Sequence, residues 1–142
     1  MAEIFPDEGL DLILNIFPKG GTNLGIAGQY LGLWTAFTAS TVGSSGQTRS
    51  SYTETTFTNY ARVAMSSWGS PAAGTGGRKV VGNQVTFPTA GATPGSAING
   101  FGLYDASTLG TLIFAANFDD TTAVTMGNGD VIKVTPTCQF NN

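Results

Sequence analysis

The sequence predicts an all-β protein with a β-sandwich or jelly-roll-like fold and one short N-terminal helix. Only 11% of its 142 residues are charged. Gly, Ser and Thr are abundant, and β-branched and aromatic residues dominate the apolar set, a composition that favours strands. Segments that alternate apolar and polar residues recur along the chain, with turn-forming residues about every dozen positions. That spacing is typical of sandwiches and jelly rolls rather than of βαβ units.

The N-terminal part of the chain carries a helical pattern. Apolar residues in DEGLDLILNIF fall at positions i, i+3, i+4 and i+7, namely Leu10, Ile13, Leu14 and Phe17, and this periodicity predicts a short amphipathic helix. The following PKGG sequence ends it. We expect a single domain, in which residues 1–28 form an arm and this helix and residues 29–142 form the sandwich.

Five later segments have the alternation or the composition of strands, and together they predict about seven or eight strands. They are QYLGLWTAF (29–37), YTETTFTNYARVAM (52–65), VVGNQVTFP (80–88), INGFGLYDASTLGTLIFAANF (98–118) and GNGDVIKVTPTCQF (127–140). Two stretches rich in small and polar residues, 38–51 and 67–79, predict loops.

Asp105 lies between two apolar runs and could be either a catalytic carboxylate or the corner of a hairpin. Turn formers follow it in DASTLGT. An aspartate at the start of a turn accepts hydrogen bonds from nearby backbone N–H groups, and Gly110 can adopt a positive φ. The sequence therefore predicts that Asp105 is a hairpin corner.

The charge pattern excludes several classes of partner. Six basic and nine acidic residues give a net charge of −3, and the basic residues are scattered, so we expect neither nucleic-acid binding nor attachment to a membrane. No apolar run has the length of a membrane span, and the N-terminus lacks the pattern of a signal peptide, which predicts a cytoplasm-like compartment for synthesis. The single cysteine, Cys138, is predicted to be a small buried hydrophobic residue.

The residue types needed for most catalytic sites are missing. The chain has no histidine, which removes histidine-based triads, general acid–base catalysis by histidine and HExxH zinc sites. Paired carboxylates could still hydrolyse glycosides, but the candidate aspartates adjoin turn-forming residues and Glu54 fits a solvated strand face; the candidates are Glu54, Asp105, Asp119, Asp120 and Asp130. We therefore expect no enzyme, no catalytic or metal-binding residue, no cofactor and no small-molecule substrate.

Aromatic and apolar side chains are the candidates for an interaction surface. Tyr and Trp are enriched both at protein interfaces and at sugar-stacking sites, although an ordinary sandwich core would use the same residues. The candidate interface residues are Phe5, Leu10, Tyr30, Trp34, Tyr60 and Trp68.

Several short strings follow one another in a definite order: Glu54, Asn59-Tyr60-Ala61-Arg62-Val63-Ala64, Trp68, Asn83-Gln-Val-Thr-Phe-Pro88, Gly102-Leu-Tyr-Asp-Ala106, Gly110-Thr-Leu-Ile-Phe114 and Gly129-Asp130. In this order and spacing, over residues 29–136, the chain resembles a family of small tailed-bacteriophage virion proteins. One departure lies in the hairpin turn, where Leu109-Gly110 stands in place of the two glycines common in that family.

The resemblance implies a β-sandwich or jelly-roll module of the virion without catalytic residues, in which Arg62 pairs with Glu54 or with a loop carbonyl. We expect a capsid decoration (cement) protein, made in the host bacterial cytoplasm. As a homotrimer it would bind the major capsid protein on the outer capsid surface and stabilise the head by mass action. Two alternatives remain open. One is a tail-fibre or baseplate module that binds a host receptor, and the other is a carbohydrate-binding module that stacks sugars on Trp34 or Trp68.

Overall fold

Antiparallel β-strands make up almost all of the regular structure. The computed structural model describes residues 3–4, 28–37, 48–91, 97–118 and 123–141. Besides strands, these segments contain one short 3₁₀ turn at Arg49–Ser51, and no helix among them is long and apolar enough to cross a membrane. The all-β fold class predicted from the sequence is confirmed.

Several sequence predictions lie outside the described residues. They concern the N-terminal helix, the candidate interface residues Phe5 and Leu10, and the carboxylates Asp119 and Asp120.

The described segments contain eleven strands, most of them short. In chain order they are β1 (Glu3–Ile4), β2 (Tyr30–Phe37), β3 (Tyr52–Glu54), β4 (Val63–Ala64), β5 (Ala72–Gly74), β6 (Gly77–Val81), β7 (Val85–Thr86), β8 (Gly100–Tyr104), β9 (Leu112–Asn117), β10 (Lys133–Val134) and β11 (Thr137–Asn141).

Strand β2 lies between β8 and the edge strands β3 and β4 in a six-stranded sheet. The strand order is β1-β9-β8-β2-β3, and β4 also pairs with β2 beyond the end of β3. The register places Leu31 opposite Leu103 and Leu103 opposite Phe114. The alternating segment QYLGLWTAF thus contains the predicted strand, and the predicted β8–β9 hairpin lies beside it, with β8 paired to β2.

Two smaller sheets complete the fold, and they correct two sequence predictions. Strands β7 and β10 form a pair, and β11-β6-β5 form a three-stranded sheet. Residues 67–79, predicted as a loop, contain β5 and the start of β6, joined by a tight turn in which Gly76 has a φ of 77°. Residues 80–88, predicted as one strand, are divided at Gly82 between β6 and β7, which belong to different sheets.

The six-stranded sheet buries side chains on both faces. On one face Leu31 and Leu33 join a large cluster that includes Val85 of β7 and Val134 of β10. The small β7–β10 sheet therefore packs over this face. The opposite face carries a smaller cluster of aromatic and aliphatic side chains, formed by Trp34, Tyr52, Tyr104, Leu112 and Ala115.

Candidate functional site

On the side of β3 and β4, strand β2 lacks a strand partner over a short length, and a side chain takes the partner's place there. The backbone N–H of Thr55 still donates to the Leu33 carbonyl over 2.9 Å, but the chain then leaves the sheet and returns at β4. In the gap, the Leu33 N–H donates to the Tyr60 hydroxyl oxygen over 3.0 Å. Since a buried unpaired N–H is costly, Tyr60 completes the sheet at this point.

The Tyr60 hydroxyl also holds Glu54. It donates to Glu54 Oε1 over 2.5 Å. The Tyr60 ring is fixed from below by an edge-on contact with Phe57 and a stacked contact with Phe87, at centroid distances of 5.3 and 6.4 Å. The carboxylate is thus attached to the large core cluster through one aromatic side chain.

Arg62 links Glu54 to the β8–β9 hairpin. Its Nε donates to Glu54 Oε1 and its Nη2 to Glu54 Oε2, both over 2.8 Å, a bidentate geometry that only arginine provides. Its Nη1 donates to the carbonyls of Ala106 and Leu109 over 2.9 and 2.7 Å. The guanidinium carbon lies 3.5 Å from the centroid of the Tyr104 ring, a cation–π contact. We call Glu54, Tyr60, Arg62 and Tyr104 the Arg62 clamp.

The clamp requires a glycine beneath it. A Cβ atom at position 32 would lie 2.8 Å from Glu54 Oε1, 2.9 Å from Tyr104 Cε2 and 3.0 Å from the Tyr60 hydroxyl. Real Cβ atoms essentially never approach heavy atoms as closely as the first two distances, and the third is tighter than nine in ten real Cβ contacts. Gly32 therefore allows three members of the clamp to lie directly on strand β2.

Burial and the contacts with Glu54 set the protonation of Tyr60, Tyr104 and Arg62. It raises the pKa of the Tyr60 hydroxyl, and the hydrogen bond to Glu54 raises it further. It also raises the pKa of Tyr104, with the charge of Glu54 adding to the effect and that of Arg62 opposing it. For Arg62, burial lowers the pKa, but the hydrogen bond and charge of Glu54 outweigh it and the net shift is upward. The tyrosines therefore stay neutral and Arg62 stays charged over the ordinary pH range.

Asp105 lies at the base of the hairpin turn whose carbonyls bind Arg62, and its contacts there confirm its predicted structural role. Its Oδ1 accepts a hydrogen bond from the Thr111 N–H over 2.7 Å, and its own N–H donates to the Thr111 carbonyl over 3.2 Å. Leu109 and Gly110 both have positive φ, at 55° and 71°. This explains why two glycines suit the turn, and it makes Leu109 a strained exception.

The other described aspartate turn also confirms its prediction. Asp130 Oδ2 accepts a hydrogen bond from the Gly127 N–H over 2.6 Å, and Gly129 has a φ of 90°. In the part of the chain that the structure describes, no three His, Cys, Asp or Glu side chains come together as a metal site would need.

An open cavity of about 510 Å³ lies beside the Arg62 clamp. Glu54, Tyr60 and Arg62 form part of its wall, and the chain around them contributes Arg49, Thr55, Thr56 and Ala61. The hairpin turn contributes the rest, Ser107, Thr108 and Leu109. Hydroxyl groups are thus the most frequent polar groups in this wall.

The described candidate interface residues differ in burial and in their hydrogen-bond partners. Trp34 is 3% exposed and its indole N–H donates to the Phe101 carbonyl over 2.9 Å. Trp68 is half-buried, and its indole N–H donates to Gln29 over 2.6 Å. Tyr30 is half-buried, and Tyr60 belongs to the clamp. A role of these residues in an interface stays a prediction. Trp34, however, has no exposed face for stacking a sugar.

The structure corrects the interpretation of Glu54 and Cys138. Glu54 is not a solvated strand residue, because Arg62 and Tyr60 hold both of its oxygens. The contacts of Arg62 with Glu54 and with two loop carbonyls confirm what the resemblance implied. Cys138, predicted to be buried, is half-buried and packs against the large core cluster.

A comparison with known protein families assigns the chain to one of them. The family model described as Podophage GP4 fiber I protein gp80 matches residues 13–138, which is most of the chain. The chain belongs to the Podophage GP4 fiber I protein gp80 family. Membership in this gp80 family confirms the resemblance to phage virion proteins, and the matched region includes every residue of the Arg62 clamp. A comparison with curated proteins found no match.

The gp80 family description names a fibre protein and makes no mention of capsid decoration. The coarser prediction of a structural phage virion protein is therefore supported, and the tail-fibre alternative fits the description better than the cement protein that we expected first.

Proposed function

We propose that this chain is a folded subunit of a phage fibre and that it contacts the surface of the host cell. The observation that carries the proposal is the match of a fibre-protein family over residues 13–138. The proposed role is structural and adhesive, and it assigns no catalytic step, cofactor or nucleic-acid partner to the chain.

The rigidity of the β8–β9 turn supports an adhesive role. Binding surfaces lose less conformational entropy when they are already ordered before the partner arrives. Arg62 holds this turn by two carbonyl contacts, and Asp105 closes its base. An exposed turn fixed in this way is suited to recognition.

Self-association is part of the proposal. A fibre needs repeated copies of its subunits, and closed symmetric assembly is the usual solution. We propose a homotrimer, which sedimentation equilibrium of the purified full chain would measure directly.

The location of the chain is tested by labelling virions of the parent phage with antibodies raised against the purified chain, followed by electron microscopy. We expect label on the fibres. Label over the head lattice would contradict the fibre proposal and restore capsid decoration, with the major capsid protein as partner.

Contact with the host is tested by competition. Purified chain, added in excess before infection, should slow adsorption of the parent phage to its host. If antibodies label the fibres but the purified chain does not slow adsorption, the chain is a structural subunit of the fibre and has no adhesive role.

A further inference from the structure

We propose that the three-stranded sheet β11-β6-β5 binds a second copy of this chain through the end that lies away from the core. Its other end is attached to the core, where Gly82 and Pro136 are both buried and the Gly82 N–H donates to the Pro136 carbonyl over 2.8 Å. From that point β6 and β11 run side by side as far as Gly77 and Asn141. At about 3.4 Å per residue, the five paired residues of each strand span about 17 Å. The far end of the sheet therefore projects from its attachment.

One face of this sheet continues beyond the core. The register places Cys138 opposite Val80 and, two residues further along both strands, Phe140 opposite Arg78. Because residues two apart point to the same side of a strand, both pairs lie on one face. Cys138 packs against the large core cluster, whereas Phe140 is 54% exposed and Arg78 is also exposed. Ala73 of β5 is exposed opposite Arg78, and we call Phe140, Arg78 and Ala73 the sheet tip.

The sheet gains little stability from burial within its own subunit. None of the described side chains of β5, β6 and β11 is fully buried. Cys138 is the one described side chain of this sheet that packs against the large core cluster. A small sheet needs a hydrophobic face packed on another surface to be stable in water. A surface that covers the exposed ring of Phe140 would supply the missing burial.

The sheet tip has the composition of a protein interface. Phenylalanine and arginine are both enriched at interfaces relative to the rest of the protein surface. Arg78 Nη2 donates to the Pro71 carbonyl over 3.1 Å, which orients the guanidinium, and arginine has further N–H groups with which to bind a carboxylate or carbonyl of a partner. The small side chain of Ala73 lets a partner surface approach the sheet closely.

Charge complementarity favours a second copy as the partner. The residues of β5, β6 and β11 include Arg78 and Lys79 and no acidic residue. The sheet thus has two of the six basic residues of the chain and none of its nine acidic ones, so the rest of each copy carries four basic and nine acidic side chains. A basic sheet on an acidic body is complementary to the body of another copy. Such a contact is heterologous, and it closes into a ring when the rotation between copies permits.

This inference rests on the self-association that the proposed function includes, and it assigns the surface through which the copies meet. Self-association of the parent chain and its dependence on the sheet tip are separate measurements, so the loss of this contact and the loss of the homotrimer can be told apart. The fibre location and the host contact are tested independently, by antibody labelling and by competition for adsorption.

The test is sedimentation equilibrium of the purified full chain and of single-residue variants that keep its circular-dichroism spectrum. Phe140→Ala removes the exposed ring, and Arg78→Glu reverses the charge of the sheet tip. We expect each to weaken the association of the copies by about tenfold or more. The matched controls are Val131→Ala, at an apolar residue that is 45% exposed outside this sheet, and Lys133→Glu, at an exposed basic residue of β10. Both controls should associate as the parent chain does.

Weaker association in either sheet-tip variant, with both controls unchanged, would support the proposal. If Phe140→Ala fails to fold, Arg78→Glu decides, because it changes an exposed side chain. Unchanged association in the folded sheet-tip variants would place the contact elsewhere and leave self-association intact. Equal weakening by the controls would show an effect of net charge or apolar area in general, and it would also overturn the proposal. A parent chain that stays monomeric at every concentration would remove both this contact and the proposed homotrimer.

Discussion

The Tyr60 hydroxyl accepts the hydrogen bond of the Leu33 backbone N–H, over 3.0 Å, in the gap between β3 and β4 beside strand β2. A side chain here does what a neighbouring strand does elsewhere. Because the same hydroxyl donates to Glu54, the hydrogen bonding of the sheet and the geometry of the cavity wall depend on one oxygen atom.

Removal of that oxygen should therefore destabilise the fold. Tyr60→Phe keeps the ring contacts with Phe57 and Phe87 but leaves the Leu33 N–H without its acceptor, at a cost of about 1–3 kcal/mol in the free energy of unfolding. Urea unfolding measures it. Tyr30→Phe is the control, since the Tyr30 hydroxyl makes no hydrogen bond with a described residue. Equal stability of the two variants would contradict the role assigned to Tyr60.

The pair of Glu54 and Arg62 should be strongly coupled. Arg62→Lys keeps the charge but loses the bidentate contact and one or both of the loop carbonyls, which should cost about 2 kcal/mol. A double-mutant cycle with Glu54→Gln should give a coupling free energy of about 1–2 kcal/mol, measured by urea unfolding of all four proteins. Simple additivity would mean that each residue is stabilised by other contacts.

A glycine at position 109 should relieve the strain of the hairpin turn. The left-handed conformation costs a non-glycine residue about 1–2 kcal/mol, and this saving exceeds the extra unfolded-state entropy of glycine of about 0.5–1 kcal/mol. Leu109→Gly should thus raise the thermal midpoint slightly, as calorimetry can measure. Leu109→Ala removes the same exposed side chain without relieving the backbone, so it should give no such increase. A lower midpoint for glycine than for alanine would exclude backbone strain as the explanation.

Stability should decrease at alkaline pH. Burial raises the pKa of Tyr52 to about 12 from a reference value of 10.0, and those of Tyr60 and Tyr104 also lie above that reference. Above about pH 10 the unfolded chain loses tyrosine protons that the folded chain keeps, so the free energy of unfolding falls as pH rises. The contribution is fully present below about pH 10, and for Tyr52 it is lost progressively up to about pH 12.

Urea midpoints measured from neutral to strongly alkaline pH would show this decline, and tyrosinate absorbance would report the ionisation itself. Tyr52→Phe, with one raised tyrosine removed, should show a shallower decline than the parent chain. A midpoint that stays constant well above pH 10 would refute the assignment of these tyrosines as buried and protonated.

The sequence predicted the elements whose burial follows a simple period. Leu31 and Leu33 point into one cluster and Trp34 into the other, so the alternation of QYLGLWTAF reflects two buried faces. Asp105 and Asp130 were predictable for a different reason, since their side chains act within turns of a few residues. Such local interactions are visible in a short window of sequence.

The missed features depend on contacts between distant or irregular segments. Strands β5 and β6 contain mostly small and charged residues, and none of their residues is fully buried. No apolar alternation therefore indicated them, although a Thr-Gly turn separates them. Glu54 and Arg62 lie on opposite sides of an irregular excursion, and no periodicity relates them. Only the resemblance to a family pointed to their contact.

The pairing of β1 with β9 joins Ile4 to Ala115, and it has a kinetic consequence. Contacts so distant along the chain require the closure of a very long loop, which slows folding. During translation, the first strand emerges from the ribosome long before its partner exists. The six-stranded sheet can therefore be completed only when synthesis has passed β9. A nascent chain stopped before that strand would leave β8 with one unpaired edge and β1 without any strand partner in this sheet.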